Sequence, residues 1–122
     1  MQRVIFDSSF LMAVAERPTT WFEDMVDLVG GFQPVLLTCV KGELEQLASG
    51  GGTRSRTARV ALDLTSKFAS EPCGAARVDD EIVSAARTSG SLAATVDSEL
   101  LASLRVAHVR AVSLSGGRVR LA

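Results

Sequence analysis

Two rhythms of apolar and polar positions run through the chain, and the points where one gives way to the other mark its elements. Val4-Ile5-Phe6 is a short apolar run that stops at Asp7, with Ser8 and Ser9 after it and a helical pattern from there. A short apolar run reads as a buried strand, and Asp or Ser ahead of an apolar-periodic stretch reads as a helix start. The pattern predicts a strand over 3–6 and a helix over 8–15, ended at Arg17-Pro18 because the residue before a proline is driven out of the helical region. Thr20 and Glu23 have the spacing of a capping box, Trp21, Phe22, Met25, Val26 and Val29 fall on one stripe with Trp21 read as core, and Gly30-Gly31 closes the helix. A second strand is expected over 34–38. Val40, Leu44 and Leu47 then mark one face of a third helix, a face that Glu43 shares and Glu45 does not.

Ser49-Gly50-Gly51-Gly52 lacks the Lys-Ser/Thr ending of a phosphate-binding loop and reads as a connector. Beyond it a fourth helix is expected over 53–68 with Val60, Leu64 and Phe68 inward, then a short third strand over 70–73. A fifth helix starts near Asp79, whose spacing to Ile82, Val83 and Ala86 turns it toward the core, while Asp80 lines up with Ser84 and Arg87 and faces solvent. Leu92–Val96 is a nearly continuous apolar strand, as in a parallel sheet covered on both faces, and it ends at Asp97. Leu100, Leu101 and Leu104 follow on a sixth helix. Val109–Leu114 is the last core strand, and Gly116-Gly117 turns it into an edge strand over 118–121.

This order of elements predicts an α/β fold, with a parallel sheet between two layers of helices. Asp7 and Asp97 then stand at the C-terminal ends of strands, where open α/β sheets bind ligands. Glu43 and Asp79 sit in early helix turns on the same rim. Taken singly, Asp7 reads more simply as a helix N-cap, and Glu43 as a rim charge that reaches water. Taken together, neighbouring carboxylates raise one another's pKa unless a cation holds them. With oxygen donors only, Mg²⁺ or Mn²⁺ is the natural ion, able to activate water and offset charge on a phosphodiester.

Composition narrows the class. The 122 residues, 47% apolar and 22% charged, describe one globular domain, 1–122, large enough for a core. No apolar run is long enough for a membrane span and the N-terminus is not built like a signal peptide, so a cytoplasmic protein without a membrane partner is expected. Cys39 and Cys73 fit no metal or redox spacing and read as small buried hydrophobes. His108 is the only histidine, which excludes His-pair zinc sites; it opens the last core strand and reads as structural. Net charge is −1, but 3 basic and 7 acidic residues lie in 1–52 against 10 basic and 7 acidic in 53–122. Arg54, Arg56 and Arg59 crowd the start of the fourth helix, against its macrodipole; such a face is usually solvated, and it also suits phosphate contact. A mean hydropathy of +0.24 is high for this size and predicts a homodimer through helices two to four.

At the strand-Asp7-Ser8-Ser9-Phe10-Leu11 start, Val40-Lys41-Gly42-Glu43-Leu44, Val78-Asp79-Asp80-Glu81-Ile82 with Ala86, and Thr95-Val96-Asp97, the chain resembles the PIN-domain nucleases over essentially its whole length. Its triple-glycine connector before an Arg-rich helix and its closing Gly-Gly hairpin look most like the archaeal-type group related to small-subunit rRNA-processing nucleases and VapC-like toxins. The resemblance implies a three-layer PIN-like fold with strand order 3-2-1-4-5 and metal-dependent endoribonuclease activity. It implies Asp7, Glu43, Asp79 and Asp97 as the acidic site. In that site Asp7, Asp79 and Asp97 would take Mg²⁺ or Mn²⁺, Glu43 would orient metal-bound water, and Ser8, Ser9 and Thr95 would support them. Ser9 and Val96 depart from the family pattern, standing where asparagines are common and removing their amide hydrogen bonds. The implied substrate is RNA, single-stranded or structured, with an antitoxin or a ribosome-assembly partner in keeping with the group. The alternative is a non-catalytic RNA-binding or ribosome-assembly subunit on the same fold, motivated by Ser9 and Val96. Aspartate-nucleophile phosphatases and receiver domains are disfavoured. The first need a second Asp where Ser9 stands, and the second need a late lysine that is missing.

Overall fold

Val4, Ile5 and Phe6 are wholly excluded from solvent in the strand they form, β1 (Gln2–Phe6). That is the burial a central strand of a covered parallel sheet requires. The structure, a computed structural model, describes residues 1–17 and 19–122; Pro18, expected to end the first helix, lies outside the described residues. After β1 come α1 (Ser8–Glu16), α2 (Trp21–Val29), β2 (Phe32–Leu37), α3 (Thr38–Ala48), α4 (Thr53–Leu64) and β3 (Ala69–Glu71). The chain continues through α5 (Val78–Ser89), β4 (Leu92–Ala94), α6 (Ser98–Val106), β5 (Ala111–Ser115) and β6 (Arg118–Leu121).

The sheet runs β3-β2-β1-β4-β5-β6, with the first five strands parallel and β6 folded back antiparallel on β5. The order 3-2-1-4-5 implied by the resemblance holds, and the hairpin strand adds an edge. From β1 the chain steps outward through α1–α4 to β2 and β3, then returns through α5 and α6 to β4 and β5. Right-handed crossovers in opposite directions put the two sets of helices on opposite faces. Accordingly α1, α3 and α4 pack on one another, and α5 packs on α6. The reversal falls between β1 and β4. There the Asp7 N–H donates to the Ala94 carbonyl at 2.9 Å, which carries the pairing past β1 and sets Asp7 beside the start of α6. Phe6 anchors the core beneath, with the rings of Phe68, Phe10 and Trp21 centred 5.1, 5.5 and 5.8 Å away.

Four local expectations need correction. The fourth helix ends at Leu64, and Val60 and Leu64 are 46% and 38% exposed, while Ser55, Ala58 and Ala61 are buried. α4 lies against both α1 and α3, and the spacing of packed helices is set by the side chains between them, so the small residues take the contact. Thr20 caps nothing. Its hydroxyl donates to Asp24 at 3.2 Å, and the Thr19 hydroxyl accepts from the Trp21 N–H at 3.1 Å. The third correction is His108, which does not open a strand. It is exposed between α6 and β5, with φ of 58°. Lastly, Cys39 and Cys73 are not separate thiols: they form a disulfide, with Cα atoms 5.9 Å apart. The β2–β3 register pairs Leu37 with Glu71, and each cysteine lies two residues past its member of that pair.

Asp24 is a buried charge that the hydrophobic pattern does not show. The Arg118 guanidinium donates to both its oxygens at 2.8 and 2.9 Å, and the Val119 N–H donates at 3.1 Å. The fork from Arg118, above all, holds the Asp24 carboxyl down at about 2, from an ordinary 3.8. The same bonds pin β6 to α2.

Candidate functional site

Asp7 occupies the N-cap position of α1, yet its side chain caps no helix N–H. It is 5% exposed, and its Oδ2 accepts from the Ser9 hydroxyl at 2.5 Å and the Thr95 hydroxyl at 2.7 Å. Each hydroxyl has one proton to give. With both directed at Asp7, the 3.0 Å approach of Ser9 to Thr95 is a contact between two acceptors. Their lone pairs receive backbone donors instead: the Val96 N–H reaches Ser9 at 3.1 Å, and the Asp97 N–H reaches Thr95 at 3.1 Å. Hydroxyl groups thus supply bonds at the place where the family pattern favours amides, and they tie Asp7 to the turn between β4 and α6.

Asp97 is a working N-cap. Its Oδ1 accepts from the Glu99 and Leu100 N–H groups at 2.8 and 3.2 Å. Glu43 is exposed in α3, and its Oε1 accepts from the Ser8 hydroxyl at 3.1 Å. Asp79 is half-buried in the first turn of α5, while Asp80 beside it is exposed, as the spacing predicts. Burial raises the Asp79 carboxyl, Asp7 and Asp97 raise it further, and Arg77 opposes them. Burial also raises Glu43, against the Ser8 hydrogen bond, with Asp7 and Asp79 adding to the rise. Asp7 and Asp79 therefore link all four acids electrostatically across one rim.

The rim is not a closed pocket. Among the described residues, no three carboxylate, imidazole or thiol groups are close enough to hold an ion. The expectation of four acids crowded together is corrected to that extent: Asp7 and Asp97 each turn one oxygen to local donors, and Glu43 is bonded to Ser8. Mg²⁺ keeps several waters and commonly uses only one or two carboxylates. Asp7 and Asp79 are electrostatically coupled and offer only oxygen donors, and such a donor set suits Mg²⁺ or Mn²⁺ in kind.

The three arginines of α4 separate. Arg59 donates to the Ala48 carbonyl at 2.9 Å, closing α3, and Arg56 reaches Thr53 at 3.4 Å. Arg54 borders the acids, lining a hollow of about 390 Å³ with Ser8, Glu43, Gln46 and Leu47. Arg77 and Gln46 were not singled out from the sequence. The available signals were position alone: Arg77 two residues before Asp79, and Gln46 one turn after Glu43.

A mostly parallel α/β sheet with acids on both sides of its β1–β4 reversal defines a PIN-like fold. The PIN-like domain family matches residues 4–117, and the chain belongs to that family. No curated protein sequence matches the chain. Among solved structures, the PIN domain endonuclease Utp24 is similar with a TM-score of 0.76 and 28% identity, over 98% of this chain and 90% of that one. A domain of a functionally unknown protein from Methanocaldococcus jannaschii DSM 2661 superposes with a TM-score of 0.67 at 15% identity, over 95% of this chain and 93% of that one. PAE2754 from Pyrobaculum aerophilum gives 0.56 and 19%, over 83% and 78%. These last two likenesses speak to the fold alone.

Proposed function

We propose that the chain is a metal-dependent endoribonuclease that cleaves RNA phosphodiester bonds at the rim of Asp7, Glu43, Asp79 and Asp97. One observation carries the reading. Burial first, and then the acidic neighbours Asp7, Asp79 and Asp97, push the Glu43 and Asp79 carboxyls up, and a bound cation relieves the acidic share of that cost. The likeness to Utp24, named as an endonuclease, supports the reaction class. Asp7 and Asp79 are the residues to hold Mg²⁺ or Mn²⁺, with Asp97 beside them. The ion, when bound, supplies charge stabilisation at phosphoryl oxygens and a more acidic water. Ser9 and Thr95 engage Oδ2 of Asp7 and so leave its other oxygen for the rim. Glu43, its carboxyl raised by burial and oriented by the Ser8 hydroxyl, is the group to accept a proton from the attacking water. Arg54, which shares the wall of a hollow with Glu43, would hold a phosphate there with paired N–H donors. In this reading the protein works in the cytoplasm, in rRNA processing or as a toxin-type nuclease.

Purified protein with single-stranded RNA and Mn²⁺ tests the proposal. The unmodified chain is expected to cut internally, and Asp7→Asn to slow it by about 10²-fold or more. Equal cutting by both, or none by either across metals and RNAs, overturns it. The second reading, a non-catalytic RNA-binding or assembly subunit, is favoured by the open spacing of the acids. It predicts RNA binding that persists in Asp7→Asn and in EDTA. We further propose a homodimer through α2, where Phe22, Val26 and Leu28 are 51%, 37% and 39% exposed. A monomeric mass by light scattering at micromolar concentration contradicts it.

A further inference from the structure

Two adjoining hollows open at the N-terminal edge of β4 and β5, the edge opposite the acids. One, of about 290 Å³, has Arg105, His108 and Arg110 in its wall; the other, of about 150 Å³, shares His108 and Arg110 and adds Arg87. No acidic side chain lines either hollow. The four basic residues are all exposed, and they come from the end of α5, the end of α6, the turn after it and the approach to β5. Among the described residues the ion pairs are Arg3–Glu71 and Arg118–Asp24, so Arg87, Arg105 and Arg110 enter none.

Charge compensation at helix ends accounts for Arg87 and Arg105, each in the last turn of its helix. It does not account for Arg110, whose carbonyl accepts from the Ala93 N–H at 3.2 Å at the start of the strand pairing. Nor does it account for His108. The bonds that close α6, His108 N–H to Arg105 at 3.1 Å and Val109 N–H to Leu104 at 2.9 Å, hold His108 in the left-handed region that side chains seldom adopt. Arg87, Arg105 and Arg110 thus gather at one edge with no acidic side chain in the walls of the hollows.

We propose that this basic edge is a second RNA contact, which grips backbone phosphates of a structured RNA at a distance from the bond that is cut. The identity of the polyanion rests on the nuclease reading; the site itself does not. Arginine forks match phosphate oxygens. A strand of five residues separates the two edges, about 17 Å at about 3.3 Å per residue. A short oligonucleotide seated on the acids cannot reach the basic edge, whereas a folded RNA that extends around the protein touches both. The edge therefore selects larger folded RNAs over short strands.

The test compares the unmodified chain, the double variant Arg105→Gln with Arg110→Gln, and Arg120→Gln as an exposed charge control outside the hollows. Binding of a fluorescent RNA hairpin is followed in EDTA across salt concentrations, and cleavage of a short single strand is followed with Mn²⁺. The double variant is expected to bind the hairpin about tenfold more weakly, with a salt slope smaller by about 0.7 per lost contact. Its cutting of the short strand is expected to be unchanged. Hairpin binding and slope equal to the unmodified chain overturn the proposal, as does an equal loss in Arg120→Gln. Displacement of the hairpin by poly-glutamate as readily as by RNA also overturns it, and assigns the edge to an acidic protein. If nothing cuts the short strand, the nuclease reading fails, and the binding arm still decides this one.

Discussion

Ser9 and Thr95 both donate to the same oxygen of Asp7, and Thr95 does so from complete burial. Thr95→Val keeps the shape and removes both the proton given to Asp7 and the acceptor for the Asp97 N–H. A buried group that loses its partner costs about 1–3 kcal/mol, so that loss is expected in urea denaturation. A cost near zero would show that the hydroxyl is not a tether. A second residue-scale prediction concerns pH. Glu43 and Asp79 have raised carboxyls, so the folded chain binds their protons more tightly than the unfolded chain does. Their contribution to stability is complete below the ordinary values of 4.5 and 3.8 and is lost as pH rises through the raised ones. Asp24 works the other way. Its contribution is complete above 3.8 and lost as pH falls toward about 2. Melting in EDTA is therefore expected at a lower temperature at pH 7 than at pH 4.5, the ordinary Glu43 value, with the difference reduced in the double variant Glu43→Gln with Asp79→Asn. A melting temperature that climbs between those pH values contradicts the assignment.

At the scale of elements, the disulfide joins the first turn of α3, which leads to Glu43, to the loop that leads to Asp79. The Cys73 N–H adds a bond to the Thr38 hydroxyl at 3.2 Å. A cross-link between residues separated by 34 in sequence stabilises by about 3–4 kcal/mol through the unfolded state. Urea denaturation with and without dithiothreitol should show that difference, and Cys39→Ser should be insensitive to the reductant. Identical curves for the oxidised and reduced chain would remove the link. The elements show where a sequence speaks and where it is silent. The switch from a short apolar run to a polar residue located Asp7 and Asp97 correctly, because burial on both faces leaves a strand no other composition. Asp24 and Arg118 were not legible as partners, since 94 residues separate them and only the folded hairpin brings them together. The cysteine pair needed the β2–β3 register. The inward face of α4 was misjudged because hydrophobicity favours Val60 and Leu64, whereas close helix packing favours Ser55, Ala58 and Ala61.

Seen whole, the molecule has two charged poles on one mostly parallel sheet, acids at the C-terminal edge of its parallel strands and arginines at the other. The covered parallel sheet follows from the alternation of elements, and the resemblance to the PIN-domain nucleases implied its strand order, which together made the fold and the common rim legible before any coordinates. The spacing of the acids could not, because it depends on side-chain bonds that periodicity does not encode. Among the described residues no helix is long and apolar enough to cross a membrane. The account stands or falls on whether the acids hold a divalent ion, and thermal melting of the unmodified chain and of Asp7→Asn with increasing Mn²⁺ reads this directly. At about a hundredfold excess over the dissociation constant, a ligand of the folded state adds about 2.7 kcal/mol, or roughly 10 °C for a chain of this size. The account predicts that rise in the unmodified chain and its absence in Asp7→Asn; no rise, or the same rise in both, would contradict it.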